Sequence, residues 1–133
     1  MTAKPKTTEL IRYPFPDMRL SPNSRKDHRR LTNERQYARQ VGYYITLDSK
    51  LGFSGEKPLE LYMLICPPDR RKRDDDNIEA AFKSTRDGIF KALGLDDNLI
   101  RRTVREVGDV EEGGAVYISL KELDTAGWYL EVL

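Results

Sequence analysis

Leu59-Glu60-Leu61-Tyr62-Met63-Leu64-Ile65-Cys66-Pro67-Pro68 runs straight into Asp69-Arg70-Arg71-Lys72-Arg73-Asp74-Asp75-Asp76-Asn77, and a helical pattern opens at Ile78. Residues 59–66 are apolar on both alternating faces: Leu59, Leu61, Met63 and Ile65 on one, Tyr62, Leu64 and Cys66 on the other. That pattern reads as a central strand, and Pro67-Pro68, unable to donate to a ladder, ends it. After the acidic cluster, Ile78, Ala81, Phe82, Ile89 and Leu93 form one apolar stripe of a second helix. Asp76 and Glu79 have capping-box spacing, and Gly94-Leu95 reads as a Schellman exit. Gly88 inside this helix costs about 1 kcal/mol against alanine and marks a candidate bend.

Upstream, residues 34–49 read as a first helix. Asn33 and Gln36 have capping-box spacing, and Gly52 lies where an exit belongs. Tyr37, Val41, Tyr44 and Ile45 fall on one face, which assigns Tyr37 and Tyr44 to the core. Residues 8–13 read as a short strand stopped by Pro14 and Pro16, and residues 17–32 as an arginine-rich loop with Ser21-Pro22-Asn23-Ser24 as its turn. Downstream, residues 100–107 and 115–121 read as two strands of a hairpin joined through Glu111-Glu112-Gly113-Gly114. The order strand, helix, strand, helix, hairpin predicts an α+β fold: a single domain over 1–133 with a small mixed β-sheet and two main helices. Residues 1–7 read as a loose polar arm, and the tail carrying Trp128 as a packed segment.

The chain has 133 residues, 38% hydrophobic and 34% charged, and a net charge of +1. That is one domain's worth of core under a heavily charged surface. The charges are segregated. Arg19, Arg25, Lys26, Arg29, Arg30, Arg35 and Arg39 stand against only Asp27 and Glu34 between positions 19 and 39. With one cysteine, Cys66, no internal disulfide can form, and with one histidine, His28, beside it neither a zinc site nor a Cys-His catalytic pair is expected. His28 reads as a loop residue. A lone thiol in an apolar run fits a reducing cytoplasm, and neither a signal-peptide core nor a bilayer-length apolar run is expected.

Carboxylates as close as Asp74, Asp75 and Asp76 repel one another unless a cation joins them. Magnesium suits such a site, because one or two carboxylates hold it while water and phosphate oxygens complete its shell. Alternation in an extended segment places Asp74 and Asp76 together and Asp75 away. A helix N-terminus nearby favours a phosphate. The bland reading is that any one of these aspartates is a helix cap, and Asp97 caps the turn at Asn98-Leu99-Ile100. Capping accounts for one aspartate and not for three in a row. The spacing is not that of an EF-hand. Basic residues running into acids then point to a metal-dependent nuclease, with Arg70, Arg71, Lys72 and Arg73 and the loop cations Arg25, Lys26, Arg29, Arg30 and Arg35 on the DNA backbone.

Pro68 to Asn77, the helix after it and Leu95-Asp96-Asp97 closely resemble the RusA family of Holliday junction resolvases. Pro14-Phe15-Pro16, Ser21-Pro22-Asn23-Ser24-Arg25 and Tyr37-Ala38-Arg39 resemble that family's amino-terminal region, and Gly113-Gly114 through Leu120 its final strands. The resemblance covers residues 10–121, and the tail over 122–133 is unmatched. It implies a homodimeric endodeoxyribonuclease that resolves four-way DNA junctions in recombination and repair, using Mg2+ or Mn2+, in a family common in prophages. Asp74, Asp76 and Asp97 then hold the metal. The family's functional lysine falls on Ala80, which leaves Lys83 or Lys72 for its role. Two alternatives stand beside this reading: another metal-dependent nuclease, and a DNA-binding protein whose acids are only caps.

A continuous helix from Ile78 to Leu93 is about 24 Å long. The four residues to Asp97 retrace at most roughly 14 Å. One chain therefore brings Asp97 to Asp74 and Asp76 only if the helix breaks, with Gly88 as the candidate. Otherwise Asp97 serves the partner's site in a two-fold dimer.

Overall fold

In the computed structural model, residues 8–21 and 31–123 are described. The elements in order are β1 (Ile11–Pro14), a short 3-10 turn (Met18–Leu20), α1 (Thr32–Ser49), β2 (Leu59–Cys66), α2 (Asp75–Ala81), α3 (Lys83–Leu93), a second 3-10 turn (Asp97–Leu99), β3 (Ile100–Val107) and β4 (Ala115–Glu122). The fold is α+β, with a four-stranded mixed sheet in the order β1-β4-β2-β3. β2 pairs parallel with β3 and antiparallel with β4, and β4 pairs antiparallel with β1. β2 is central, as its apolar run predicts. Leu59, Leu61, Met63 and Ile65 are buried, whereas Tyr62 and Leu64 on the other face are only half-buried. That open face carries polar pairs, Arg102 with Glu60 and Tyr62 with Glu106. The core lies on the helix side, where β2 and β4 meet Ile78, Phe82, Ile89 and Phe90.

The predicted hairpin does not form. β4 lies on the far side of β2, with β2 between it and β3. Residues 108–114 cross the end of β2 instead, where Gly108 N–H donates to the Ile65 carbonyl and Glu111 N–H to that of Pro67. Gly113 and Gly114, at φ 77° and 73°, supply the left-handed turn. A Cβ on Gly114 would lie 2.8 Å from that of Phe15. Alternation fixes which side chains share a face, not which strand pairs with which.

Three helix details also differ from expectation. α1 begins at Thr32 after Leu31, with no side-chain cap, so the Asn33–Gln36 box is not formed. Its packed side centres on Gly42 and Thr46, leaving Tyr37 and Tyr44 69% and 65% exposed. The reason is the partner helix. A Cβ on Gly42 would stand 2.2 Å from the Thr85 carbonyl oxygen, and one on Gly88 would stand 2.0 Å from that of Arg39. Two glycines bring α1 and α3 into backbone contact, and large side chains have no place between them. Gly88 therefore marks a crossing and not a bend. The helix is interrupted earlier, at Phe82 (φ −78°, ψ −8°), where the ring turns into the core, edge-on to Tyr13 at 6.2 Å. The Gly94-Leu95 exit is as expected: Leu95 N–H reaches the Phe90 carbonyl and Gly94 sits at φ 67°. β1 runs four residues to Pro14, later than expected, and Pro14 is tolerated at the end of an edge strand. Thr8 still bonds Leu120 through both backbone and hydroxyl.

Candidate active site

Asp74 is the cap of α2, and Asp76 is not. The Asp74 Oδ1 accepts from the Asp76 N–H at 2.8 Å. Asp75 and Asp76 then lie in the first turn, where successive side chains are about 100° apart. That rotation separates them. Asp76 lines a groove along α2 and α3, while Asp75 lines a different hollow with Arg70, Arg71 and Arg73 at the end of the sheet. Asp75 is separated from Asp76 by the helix and not by strand alternation, while Asp74, expected on one face with Asp76, is the cap and is not among the described residues that line the groove. The same construction recurs after α3: Asp96 caps the 3-10 turn by accepting from Asn98 N–H at 2.9 Å, and Asp97 follows it.

The groove has a volume of about 360 Å³. Asp76, Glu79, Asp87 and Asp97 bring negative charge to it and Lys83 and Arg86 positive charge, and Ala80 faces it as well. Positions 76, 79, 80, 83, 86 and 87 recur at helical spacing, so one face of α2 and α3 makes the wall. Lys83 is on that wall, 77% exposed and 3.6 Å from Asp87; Lys72 is not. Of the two lysines considered for the role missing at Ala80, Lys83 shares the cavity with both Ala80 and Asp76.

Arg105 was not singled out from the sequence. From β3 it reaches Asp76 at 2.9 Å and Glu79 at 2.6 Å. Both carboxylates raise its pKa, the Asp76 hydrogen bond most. Glu79 is therefore an ion-pair partner and not half of a capping box. Arg86 was also missed, although its spacing from Lys83 and Glu79 was a usable signal. Among the described residues, Asp74 uses Oδ1 for its cap and Asp76 uses Oδ1 for Arg105, so each carboxylate has a second oxygen outside these pairs. Asp76 is 82% exposed at its side chain. A hard divalent cation, satisfied by one or two carboxylates plus water and phosphate, fits that donor set.

In chain order Asp74 and Asp97 flank opposite ends of β2, and Asp76, whose N–H bonds Asp74, lines one groove with Asp97. Asp74 follows the last residue of β2, Cys66, by a loop, whereas Ile100, just after Asp97, pairs with its first residue, Leu59. Eight residues of strand span roughly 23 Å. Among the described residues, no three His, Cys, Asp or Glu side chains gather closely enough to hold a metal ion. One chain thus brings Asp76 and Asp97 to one groove without closing all three aspartates on a point.

The basic run is divided in its use. Arg73 pairs with Asp69 at 2.9 Å, donates to the carbonyls of Asp69 and Arg71, and lies over the Phe15 ring. It is a bracket for the loop. Arg70, Arg71 and Lys72 are exposed. Arg35 lines a hollow next to the groove. Arg25, Lys26, His28, Arg29, Arg30 and Trp128 lie outside the described residues, as does the arm over 1–7. Cys66 is buried, and burial pushes its thiol pKa up. No helix among the described residues is long and apolar enough to cross a membrane.

No family model matches the chain. An uncharacterized protein of Xylella fastidiosa (strain Temecula1 / ATCC 700964) is 38% identical over 116 residues, covering 79% of this chain and 74% of the relative. The chain belongs to that protein's family.

Proposed function

For a chain of that family, we propose a metal-dependent endodeoxyribonuclease that cuts four-way DNA junctions as a homodimer. The observation that carries this reading is the groove. Asp76 and Asp97, twenty-one positions apart, line it together with Lys83 and Arg86. It is a cleft where acids can hold a cation and neighbouring cations can meet phosphate oxygens. Asp74 and Asp76 would hold Mg2+ or Mn2+ through their remaining oxygens. Such an ion supplies Lewis-acid polarisation of the phosphoryl group and a lowered pKa for the attacking water. Lys83 and Arg86 place positive charge where the phosphate gains negative charge. Arg70, Arg71 and Lys72 orient the rest of the backbone without reading its bases.

In a two-fold dimer Asp97 serves either the groove that it lines with Asp76 in its own chain or the partner's site. Mixing Asp76→Asn chains with Asp97→Asn chains tests this. Sharing predicts one intact site per heterodimer and recovered cutting; two inactive sites and no recovery would exclude it.

A second reading has its own support. Arg105 already pairs with both Asp76 and Glu79, as suits a DNA-binding protein that does not cut. Incubating the protein with a synthetic four-way junction, linear duplex and flap DNA, with Mg2+, Mn2+ or chelator, separates the readings. Metal-dependent cutting of the junction is the expected result. Cutting of linear DNA alone would indicate another nuclease, and tight binding without product would indicate the binding protein.

A further inference from the structure

Arg105 reaches two acids of the groove from β3, the edge strand of the sheet. It meets both through one nitrogen, Nη1, which lies 2.9 Å from Asp76 Oδ1 and 2.6 Å from Glu79 Oε2. A guanidinium carries five N–H groups, and the three on Nε and Nη2 lie outside these two contacts. The two arms are unequal. The Glu79 side chain is 32% exposed and that of Asp76 82%, so water and salt weaken the Asp76 arm more. A divalent cation, which prefers carboxylate oxygen, takes Asp76 from such an exposed pair at little cost. Charge then decides where the guanidinium turns. Two carboxylates against one guanidinium leave one net negative charge. A divalent cation reverses the sign, and the single negative charge of a phosphodiester closes the balance. Arg105 is also better fixed than Lys83, whose side chain is 77% exposed against 27% and whose partner Asp87 stands 3.6 Å away. Donors held in place before the reaction stabilise developing charge best.

We propose that Arg105 is a catalytic residue that exchanges partners: it keeps Asp76 paired until a divalent cation takes that carboxylate, and then, still held by Glu79, donates to a phosphate oxygen at the cut. The inference rests on the proposed DNA cleavage and adds to it a residue from β3. Glu79 is the positioning residue, and Nε and Nη2 supply the donors that face the phosphate. A guanidinium suits that task because its planar fork matches phosphate oxygens.

The test has two readouts on the full chain. Mn2+ binding without DNA is followed by the electron paramagnetic resonance signal of the free ion, and cutting is measured on a synthetic four-way junction at saturating Mn2+. Arg105→Gln removes the competitor for Asp76, so it is expected to bind Mn2+ roughly fivefold more tightly than wild type, the worth of one exposed ion pair. The same variant should lose about a hundredfold in kcat with KM little changed, the effect of removing one donor to developing charge. Arg105→Lys, which keeps the charge, should recover part of that loss, and both variants should melt with wild type. A purely structural role predicts the opposite pairing: a lower melting temperature and no gain in Mn2+ affinity. Arg105→Gln that binds Mn2+ no more tightly, or that cuts like wild type, overturns the exchange. Wild type that binds Mn2+ and cuts no DNA removes the cleavage reading, and the catalytic part of Arg105 with it, whereas the Mn2+ titration still decides the competition for Asp76.

Discussion

On one side of α3 backbone meets backbone; on the other, charged side chains stand in water. Toward α1, Gly88 and Gly42 leave no space for even a methyl group. Toward the groove, Asp76 and Lys83 are 82% and 77% exposed at their side chains. The crossing fixes the helix, and so the groove can be populated with groups that contribute little to holding the fold. Substitution should therefore separate the two sides cleanly. At Gly88, alanine gains about 1 kcal/mol of helix propensity. It also places a methyl 2.0 Å from the Arg39 carbonyl oxygen, against backbone that cannot yield alone. Overpacking of that kind costs about 1–3 kcal/mol or more, so the clash decides the sign. Gly88→Ala is expected to destabilise by about 2 kcal/mol net or more in urea unfolding; unchanged stability would show that the helices are not in contact.

Asp76→Asn probes the other side. An exposed position away from the core shifts stability by no more than about 0.5 kcal/mol, while the proposed chemistry loses a metal ligand. Junction cutting should fall by at least a hundredfold, about 2.7 kcal/mol in the barrier, with the urea midpoint hardly moved. A large loss of stability would mean that the Asp76–Arg105 pair is structural and would blur the contrast.

These two sides were unequally legible in sequence. β2 and the Gly94 exit were readable because periodicity and glycine chemistry are local. Asp76 and Lys83 were readable as charges at the start of a helix. What escaped was set by partners distant along the chain. Gly88 looked like a weakness until Arg39 appeared opposite it. Tyr37 and Tyr44 fitted an apolar stripe, but the real seam was Gly42 and Thr46, small residues that no hydrophobic pattern marks. Arg105 could not be assigned to Asp76 before β3 was known to lie parallel to β2. The hairpin failed for the same reason, since strand alternation is silent about neighbours.

Tyr13 joins the scaffold to α1 and gives a smaller effect. Its hydroxyl and that of Thr46 lie 2.7 Å apart in the core, and Thr46 also bonds the Gly42 carbonyl at 2.7 Å. Burial raises the Tyr13 pKa more than the Thr46 hydrogen bond lowers it, so the phenol stays neutral well into the alkaline range. Tyr13→Phe removes one buried hydrogen bond and leaves the Thr46 hydroxyl its carbonyl partner. The expected cost is about 1 kcal/mol, read as a lower urea midpoint with unchanged slope; no cost would mean that the hydroxyls do not interact.

The smallest effect expected is electrostatic and lies where residues 108–114 cross the end of β2. The Tyr117 hydroxyl and then the Arg12 guanidinium hold the Glu111 carboxyl below its ordinary pKa, and Arg12 reaches it at 2.8 Å. A carboxyl depressed in the folded state binds its proton less readily there than in the unfolded chain. Its contribution is therefore present above the ordinary carboxylate pKa of about 4.3 and fades as the pH falls through the lower, folded value. Glu111→Gln should melt below wild type at neutral pH and converge with it in acid, because only wild type loses this contribution on protonation. The site is exposed, so salt should shrink the neutral-pH gap as well. Parallel melting curves across the acid range would show that Glu111 does not report on the crossing, and that the loop is held by its other bonds, the backbone ones to Ile65 and Pro67 and that from Arg12 to the Gly114 carbonyl.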